Sequence, residues 1–281
     1  MAGNEILLIH LGGLGDVCLS ESTFNSLFSH FGTNIDAVGY KRFLGLFHRY
    51  FDRVLSVEDR SWLWLFSDLP CDKRWNQTVL VGKDKGGELR KGLSRASSDP
   101  PLFVDMYPEK DAVHVEDYQL AQLKKFGIKP SKKEIEGLKR NRIILYPERS
   151  YAKKKWPYER FIELYNELKE RGVDVVLLEA PDLEPLLPDS RGFENLEETA
   201  RFLSEGGLFF SNDSGVAHLA AVCGLATITL FWDHDPAIWH PRGRNTAILC
   251  DADSPSVEDM VSLILHLKKP SQQGTERIQL P

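Results

Sequence analysis

Short apolar runs that alternate with helical segments constrain the fold of this chain more than any other feature. The first run, Ile6–His10, is followed by a glycine-rich turn and then by apolar residues near helical spacing. Because strands connected through helices pair in parallel, the pattern predicts an α/β fold with helices on both faces of each sheet. The predicted strands are residues 6–10, 51–57, 78–81, 142–146, 173–178, 208–211 and 226–231.

The segments between these strands carry the helix signals. A polar stretch at residues 82–101, rich in glycine and basic residues, predicts a mobile exposed loop instead, and its basic part, residues 83–95, is a candidate for binding an anionic acceptor or merely a solvated loop. Gly127 predicts the end of one helix, because glycine commonly follows a helix C-terminus. The predicted helices are residues 17–31, 115–126, 158–170, 196–204, 214–223 and 256–267.

A charged segment at residues 129–142 divides the pattern in two. With 281 residues, of which 42% are hydrophobic, the chain is long enough for two domains. We expect a Rossmann-like domain over residues 1–138, a second over 139–268 and a flexible tail over 269–281. Two such domains in tandem predict a cleft between the carboxyl ends of their sheets, where α/β proteins bind ligands.

Charge and cysteine content exclude several classes of protein. The net charge of -6 and the pI near 5.8 provide no broad attraction to nucleic acid or anionic membranes. The four cysteines form no CxxC pair, so we expect reduced thiols in a cytoplasmic protein and no metal site. The N-terminus has no basic region typical of a secretory signal. The most membrane-like stretch, residues 216–232, is interrupted by polar residues and predicts a buried helix and strand.

The glycine-rich turn is the first candidate site. Without side chains, Gly12, Gly13 and Gly15 let the backbone turn tightly and approach a ligand, and Asp16 lies near the start of the next helix. The alternative interpretation is that Asp16 is an ordinary N-cap. The turn is not the GxGxxG dinucleotide fingerprint, because no further glycine follows at the required position.

A lysine run at residues 153–155 is the second candidate. It follows a core strand and precedes Trp156 and Pro157 at a helix start, so at least one ammonium group is expected to reach the cleft and bind pyrophosphate. The alternative is a solvated face.

Polar residues after two further strands form the third and fourth candidates. Asp213 is expected to be the N-cap of a helix, with Ser214 and Gly215 leaving the first amides open to an anion. His218 lies four residues after Ser214 on the same helix face, although it could equally be a structural histidine. Residues 232–235 follow the next strand and are expected to converge on the same site, unless they form a simple exposed loop.

These motifs together resemble glycosyltransferase family 9, the ADP-heptose glycosyltransferases. The resemblance covers most of residues 5 to 235 and implies a GT-B fold, with two Rossmann-like domains whose parallel sheets face across a cleft, and metal-independent inverting transfer. The motifs that carry it, in chain order, are Leu14-Gly15-Asp16, Lys154-Lys155-Trp156-Pro157 and Asp213-Ser214-Gly215-Val216-Ala217-His218.

The resemblance also implies roles for individual residues. Asp16 would be the general base for the acceptor hydroxyl, and Ser150 and Lys154 would contact the donor diphosphate. The donor turn would comprise Asp213, Ser214 and Gly215, supported by His218. The implied substrates are a nucleotide-diphosphate sugar, with an ADP-sugar and heptose favoured, and a saccharide or glycolipid acceptor, with no cofactor. An enzyme of this kind would be cytoplasmic or peripheral to the cytoplasmic face of the inner membrane.

Departures from the family pattern keep two other interpretations open. The chain has Trp232-Asp233-His234 where the family usually has Gly-Pro-Thr, and Ser20-Glu21-Ser22 near the position of a usual proline. A non-catalytic nucleotide-sugar-binding protein would keep Lys154 and Asp213 without turnover. A Rossmann oxidoreductase would require a nicotinamide or flavin site.

Overall fold

The computed structural model describes residues 5–32, 34–108, 113–137, 141–148, 155–180, 187–250 and 255–268. The chain forms two units, which meet in sequence at Lys133 and Glu134 within the charged segment at residues 129–142. The predicted tail at residues 269–281 lies outside the described residues, as do Ser150 and Lys154.

The first unit contains a five-stranded parallel sheet in the order β3-β2-β1-β4-β5. Every residue of β1 is buried, as expected for an apolar strand covered on both faces. The sequence did not predict β2 or β5. In β2 the apolar pattern is interrupted by Asp36, which is buried and pairs with Arg53 of β3. The strands are β1 Ile6–His10, β2 Ile35–Gly39, β3 Arg53–Ser56, β4 Gln77–Gly82 and β5 Leu102–Asp105.

Several helices of the first unit differ from the prediction, and the short helices Lys41–Leu44, Gly45–Tyr50 and Arg60–Phe66 were not predicted. The single helix predicted over residues 17–31 is two helices that meet at Ser20, and the first begins earlier, at Leu14. The loop predicted over residues 82–101 contains a helix. Gly92 of this helix lies against the backbone of Leu65, where an added Cβ would be 3.0 Å from the carbonyl oxygen. The helices are α1 Leu14–Leu19, α2 Glu21–Phe31, α3 Lys41–Leu44, α4 Glu88–Ala96 and α5 Val115–Lys125, with 3-10 helices at Gly45–Tyr50 and Arg60–Phe66.

The second unit contains a five-stranded parallel sheet in the order β10-β9-β8-β6-β7. Its central strands match the prediction closely, whereas β10 was not predicted. The strands are β6 Ile143–Tyr146, β7 Val175–Leu177, β8 Leu208–Asn212, β9 Ala226–Phe231 and β10 Asn245–Leu249.

Aromatic packing fixes the first long helix of this unit to its sheet. The fully buried rings of Trp156, Phe161 and Phe210 lie 4.8 to 5.3 Å apart, within the range of favourable aromatic pairs. The helices are α6 Tyr158–Glu170, α7 Leu196–Leu203, α8 Gly215–Val222, α9 Pro236–Trp239 and α10 Val257–Lys268.

Each sheet has one place where the chain changes direction across the sheet. In the first unit it lies between β1 and β4, and in the second between β6 and β8. The carboxyl ends of strands at such a switch point form the usual ligand-binding position in open α/β sheets. Among the described residues, no helix is both long and apolar enough to cross a bilayer.

Candidate functional site

The turn after β1 is held by a buried histidine. The Gly12 amide donates to His10 Nδ1 at 3.2 Å, so the hydrogen of the neutral ring lies on Nε2. Nε2 lies 3.1 Å from the hydroxyl oxygen of Ser20, which in turn donates to the Asp16 carbonyl at 2.8 Å. Burial lowers the pKa of His10 to about 4, so the ring is uncharged at neutral pH. The sequence analysis missed both His10 and Ser20 as supports of this turn.

Asp16 is the third residue of α1, so the alternative interpretation that made it an ordinary N-cap was wrong. The N-cap is Gly13, whose amide donates to Asp16 Oδ2 at 3.0 Å. Gly12 is required by close approach, because an added Cβ would lie 2.5 Å from the Cβ of Asp16 and 2.9 Å from His10 Cε1. The turn therefore presents a half-buried carboxylate at the carboxyl end of β1. Gly15 is the second residue of the same helix.

Two more polar side chains follow neighbouring strands at the same edge of this sheet. Lys83 and Tyr107 follow β4 and β5, and the Lys83 ammonium is 4.6 Å from the Tyr107 ring centroid. Burial, together with the charges of Asp16 and Asp105, raises the pKa of the Tyr107 hydroxyl. Lys83 belongs to the basic segment that the sequence proposed for acceptor binding, whereas Tyr107 was missed because nothing in its local sequence marks it.

In the second unit, the turn between β8 and α8 brings one carboxylate between two histidines. Asp213 Oδ2 lies 2.7 Å from Nδ1 of His234, and Oδ1 lies 3.8 Å from Nε2 of His218. Burial by itself would raise the pKa of Asp213, but the interactions with His218 and His234 outweigh it and lower that pKa below its usual value. This turn therefore contains a charged carboxylate at neutral pH.

The N-cap of α8 is Ser214, so the prediction that Asp213 fills that position was wrong. The Ser214 hydroxyl accepts a hydrogen bond from the Ala217 amide at 3.2 Å, while the Asp213 carboxylate turns toward the imidazoles. Gly215 and Val216 begin the helix, where the dipole favours an anion. His218 is buried on α8, and its Nδ1 has no hydrogen-bond partner among the described residues.

Asn212, which the sequence analysis missed, joins three segments of this site. Its side-chain oxygen accepts hydrogen bonds from the Trp156 amide at 2.8 Å and from the Trp232 indole at 3.2 Å. Its side-chain nitrogen donates to the Trp156 carbonyl at 3.2 Å. Because Asn212 is buried, these bonds fix the segment after the lysine run to the carboxyl ends of β8 and β9.

The lysine run itself is described only at its last residue. Lys155 donates from its ammonium group to the Glu148 carbonyl at 3.1 Å, so this lysine lies along the end of β6. The predicted diphosphate contacts, Ser150 and Lys154, lie outside the described residues. All four cysteines are described and are free thiols. The described ranges contain no group of three His, Cys, Asp or Glu residues arranged to hold a metal ion.

Comparisons with known proteins agree with the motifs. The model of glycosyltransferase family 9 (heptosyltransferase) matches residues 105–263. Lipopolysaccharide heptosyltransferase 3 of Escherichia coli is 26% identical over 184 residues, which are 60% of this chain and 51% of that protein. The matched region thus spans about half the length of this curated relative.

Solved structures share the fold across nearly the whole chain. E. coli heptosyltransferase WaaC, solved with ADP, superposes with a TM-score of 0.69 at 16% identity, covering 94% of this chain and 99% of that one. The glycosyltransferase family 9 protein of Veillonella parvula gives a TM-score of 0.68 at 15% identity, covering 94% and 92%. The predicted GT-B fold class is therefore confirmed.

Proposed function

The chain belongs to glycosyltransferase family 9, and from that premise we propose that it is an inverting glycosyltransferase that uses a nucleotide-diphosphate sugar. The favoured donor is an ADP-sugar carrying heptose, and the acceptor is a saccharide or glycolipid of lipopolysaccharide type. Curated and structural relatives named as heptosyltransferases, one of them solved with ADP, support this choice.

One observation carries the proposal. Asn212 fixes the backbone at Trp156 to the turn that contains Asp213 and the start of α8. Two of the three family motifs thereby meet at the carboxyl edge of the second sheet, beside its switch point. Open helix amides and an adjoining lysine run are groups suited to a diphosphate.

The proposed reaction is a direct displacement at the anomeric carbon. The acceptor hydroxyl oxygen forms a bond to that carbon, its proton passes to Asp16, and the bond from the carbon to the diphosphate oxygen breaks with its electron pair leaving on the nucleoside diphosphate. Lys154, Ser150 and the amides at Ser214 and Gly215 would stabilise the leaving charge, so no metal is required.

Within this proposal Asp213 and His218 position the donor turn. The half-buried carboxylate of Asp16 at the carboxyl end of β1 would be the proton acceptor, and Lys83 and Tyr107 would contact the acceptor. A glycolipid acceptor would bring the protein to the cytoplasmic face of the inner membrane as a peripheral enzyme.

A donor screen followed by a transfer assay tests the proposal. We expect the matching nucleotide sugar among ADP-, GDP-, UDP- and dTDP-sugars to stabilise the protein by about 2.7 kcal/mol at a 100-fold excess over Kd. Nucleoside diphosphate release should then require an acceptor and should persist in EDTA. Binding without turnover on any saccharide or lipid acceptor would favour the non-catalytic alternative, and absence of binding to every nucleotide sugar would refute the proposal.

A further inference from the structure

His234 is an exposed residue of the second unit that forms a hydrogen bond with the less exposed Asp213 of the donor turn. Its side chain is 65% exposed, whereas those of Asp213 and His218 are 20% and 7% exposed. Since Nδ1 of His234 bonds to Asp213, the hydrogen of the ring lies on Nδ1 and the second nitrogen, Nε2, is not used in that bond.

The position of this histidine is set by adjacent strand ends. The Asp213 amide donates to the Leu230 carbonyl at 2.8 Å, so β8 and β9 end side by side, and His234 follows β9 by three residues. Its imidazole reaches back to Asp213, directly before the N-terminus of α8. A cation at this position would lie beside amides that already favour a negative charge.

Carboxylates neighbour His234 both in the chain and across the turn. Asp213 faces the ring and is ionised at neutral pH, and Asp233 and Asp235 are its neighbours in the chain. The Asp235 carboxylate is occupied by the Ala237 amide at 2.8 Å, and the ring of Trp239 lies 6.4 Å from the imidazole centroid. The Asp213 carboxylate therefore fixes the orientation of the imidazole and leaves Nε2 on the opposite side of the ring.

We propose that His234 is a donor-binding residue that contacts the diphosphate of the nucleotide sugar through Nε2. The inference rests on the proposed function and adds a contact at a position where the family pattern has Gly-Pro-Thr. His234 would bind the diphosphate in the ground state as well as in the transition state. Its loss is therefore expected to raise KM for the donor with little change in kcat.

The test compares His234→Gln with wild type by calorimetric titration of ADP, GDP, UDP and dTDP at pH 6.5. Glutamine keeps an N–H donor for Asp213 but removes the ring nitrogen Nε2. We expect affinity for the preferred nucleoside diphosphate to fall about 10-fold, as for loss of one charge-assisted hydrogen bond. His234→Arg should restore it to within about 3-fold of wild type, and binding of the corresponding nucleoside should be unchanged in all variants.

His266→Gln, which changes another exposed histidine of the same unit, is the matched control and should bind like wild type. Thermal unfolding verifies that each variant is folded. If wild type binds a nucleoside diphosphate and His234→Gln binds it equally well, the role of His234 is refuted while the proposed function survives. If wild type binds none of the four, both fail together.

Discussion

The turns after β1 and after β8 have the same kind of local structure but different electrostatics. Each is a strand, a short turn and a helix, with an aspartate and a histidine close together. In the first unit the histidine is buried and neutral, and it holds the turn through hydrogen bonds to Gly12 and Ser20. In the second unit the histidines face the carboxylate and lower its pKa.

This difference fits the different functions that we propose for the two carboxylates. In the proposed mechanism Asp16 accepts a proton, and it follows a turn whose histidine is buried and uncharged. In the same mechanism Asp213, whose pKa the two histidines lower, is a poor base and positions the donor turn. Three changes can break or sharpen this contrast.

The largest effect is expected at Asp16. Asp16→Asn keeps an oxygen for the Gly13 amide but removes the base, so kcat should fall by about 10² to 10⁴ with donor binding largely kept. Asp213→Asn should mainly raise KM for the donor. Steady-state kinetics separates the two, with Asp59→Asn, an exposed N-cap in the first unit, as the control. Equal kcat in Asp16→Asn and wild type would remove Asp16 from the mechanism.

A smaller effect is expected from a methyl group in the first turn. Gly12→Ala places a Cβ 2.5 Å from Asp16 and should reduce the free energy of unfolding by roughly 2–3 kcal/mol. Gly13→Ala is the matched control, because its Cβ would meet nothing closer than 4.0 Å, and it should change stability by less than about 0.5 kcal/mol. Urea unfolding measures both. Similar losses in the two variants would mean that close packing around Gly12 does not fix the turn.

The smallest effect concerns the charge of His10. Its pKa is lowered from 6.5 to about 4 in the folded protein, so between these values the unfolded chain binds more protons. Stability should therefore fall as the pH drops, by about 2 kcal/mol between pH 7.5 and pH 5 from this residue.

His10→Gln should be less stable than wild type at pH 7.5 but should lack this part of the pH dependence, whereas His30→Gln, at an exposed position, should keep it. Asp213 does not contribute to this change between pH 7.5 and pH 5. Its pKa is lowered in the folded protein, so the stability that it contributes is lost only below the ordinary pKa range of an aspartate. Denaturant titrations at several pH values provide the measurement. An identical slope in His10→Gln and wild type would contradict a neutral buried imidazole.

The sequence predicted those parts of the fold whose local patterns are complete. The buried strands β1, β6, β8 and β9 are rich in apolar residues, and the end of α5 is marked by Gly127, which adopts a positive φ of 73°. It failed at β2, where the partly exposed Arg53 pairs with the buried carboxylate of Asp36, and at α4, whose glycine is needed for contact with a distant backbone.

The candidate site divides in the same way. Residue order alone determined the three motifs, their position after strands and the resemblance to a family, because glycine, aspartate and lysine at these spacings are local features. Only the tertiary structure brought Asn212 to Trp156, His234 to Asp213 and His10 to Ser20. Those contacts depend on which strands are neighbours and on which side chains are buried together, and the free energy of such pairing is not encoded in any short segment of the chain.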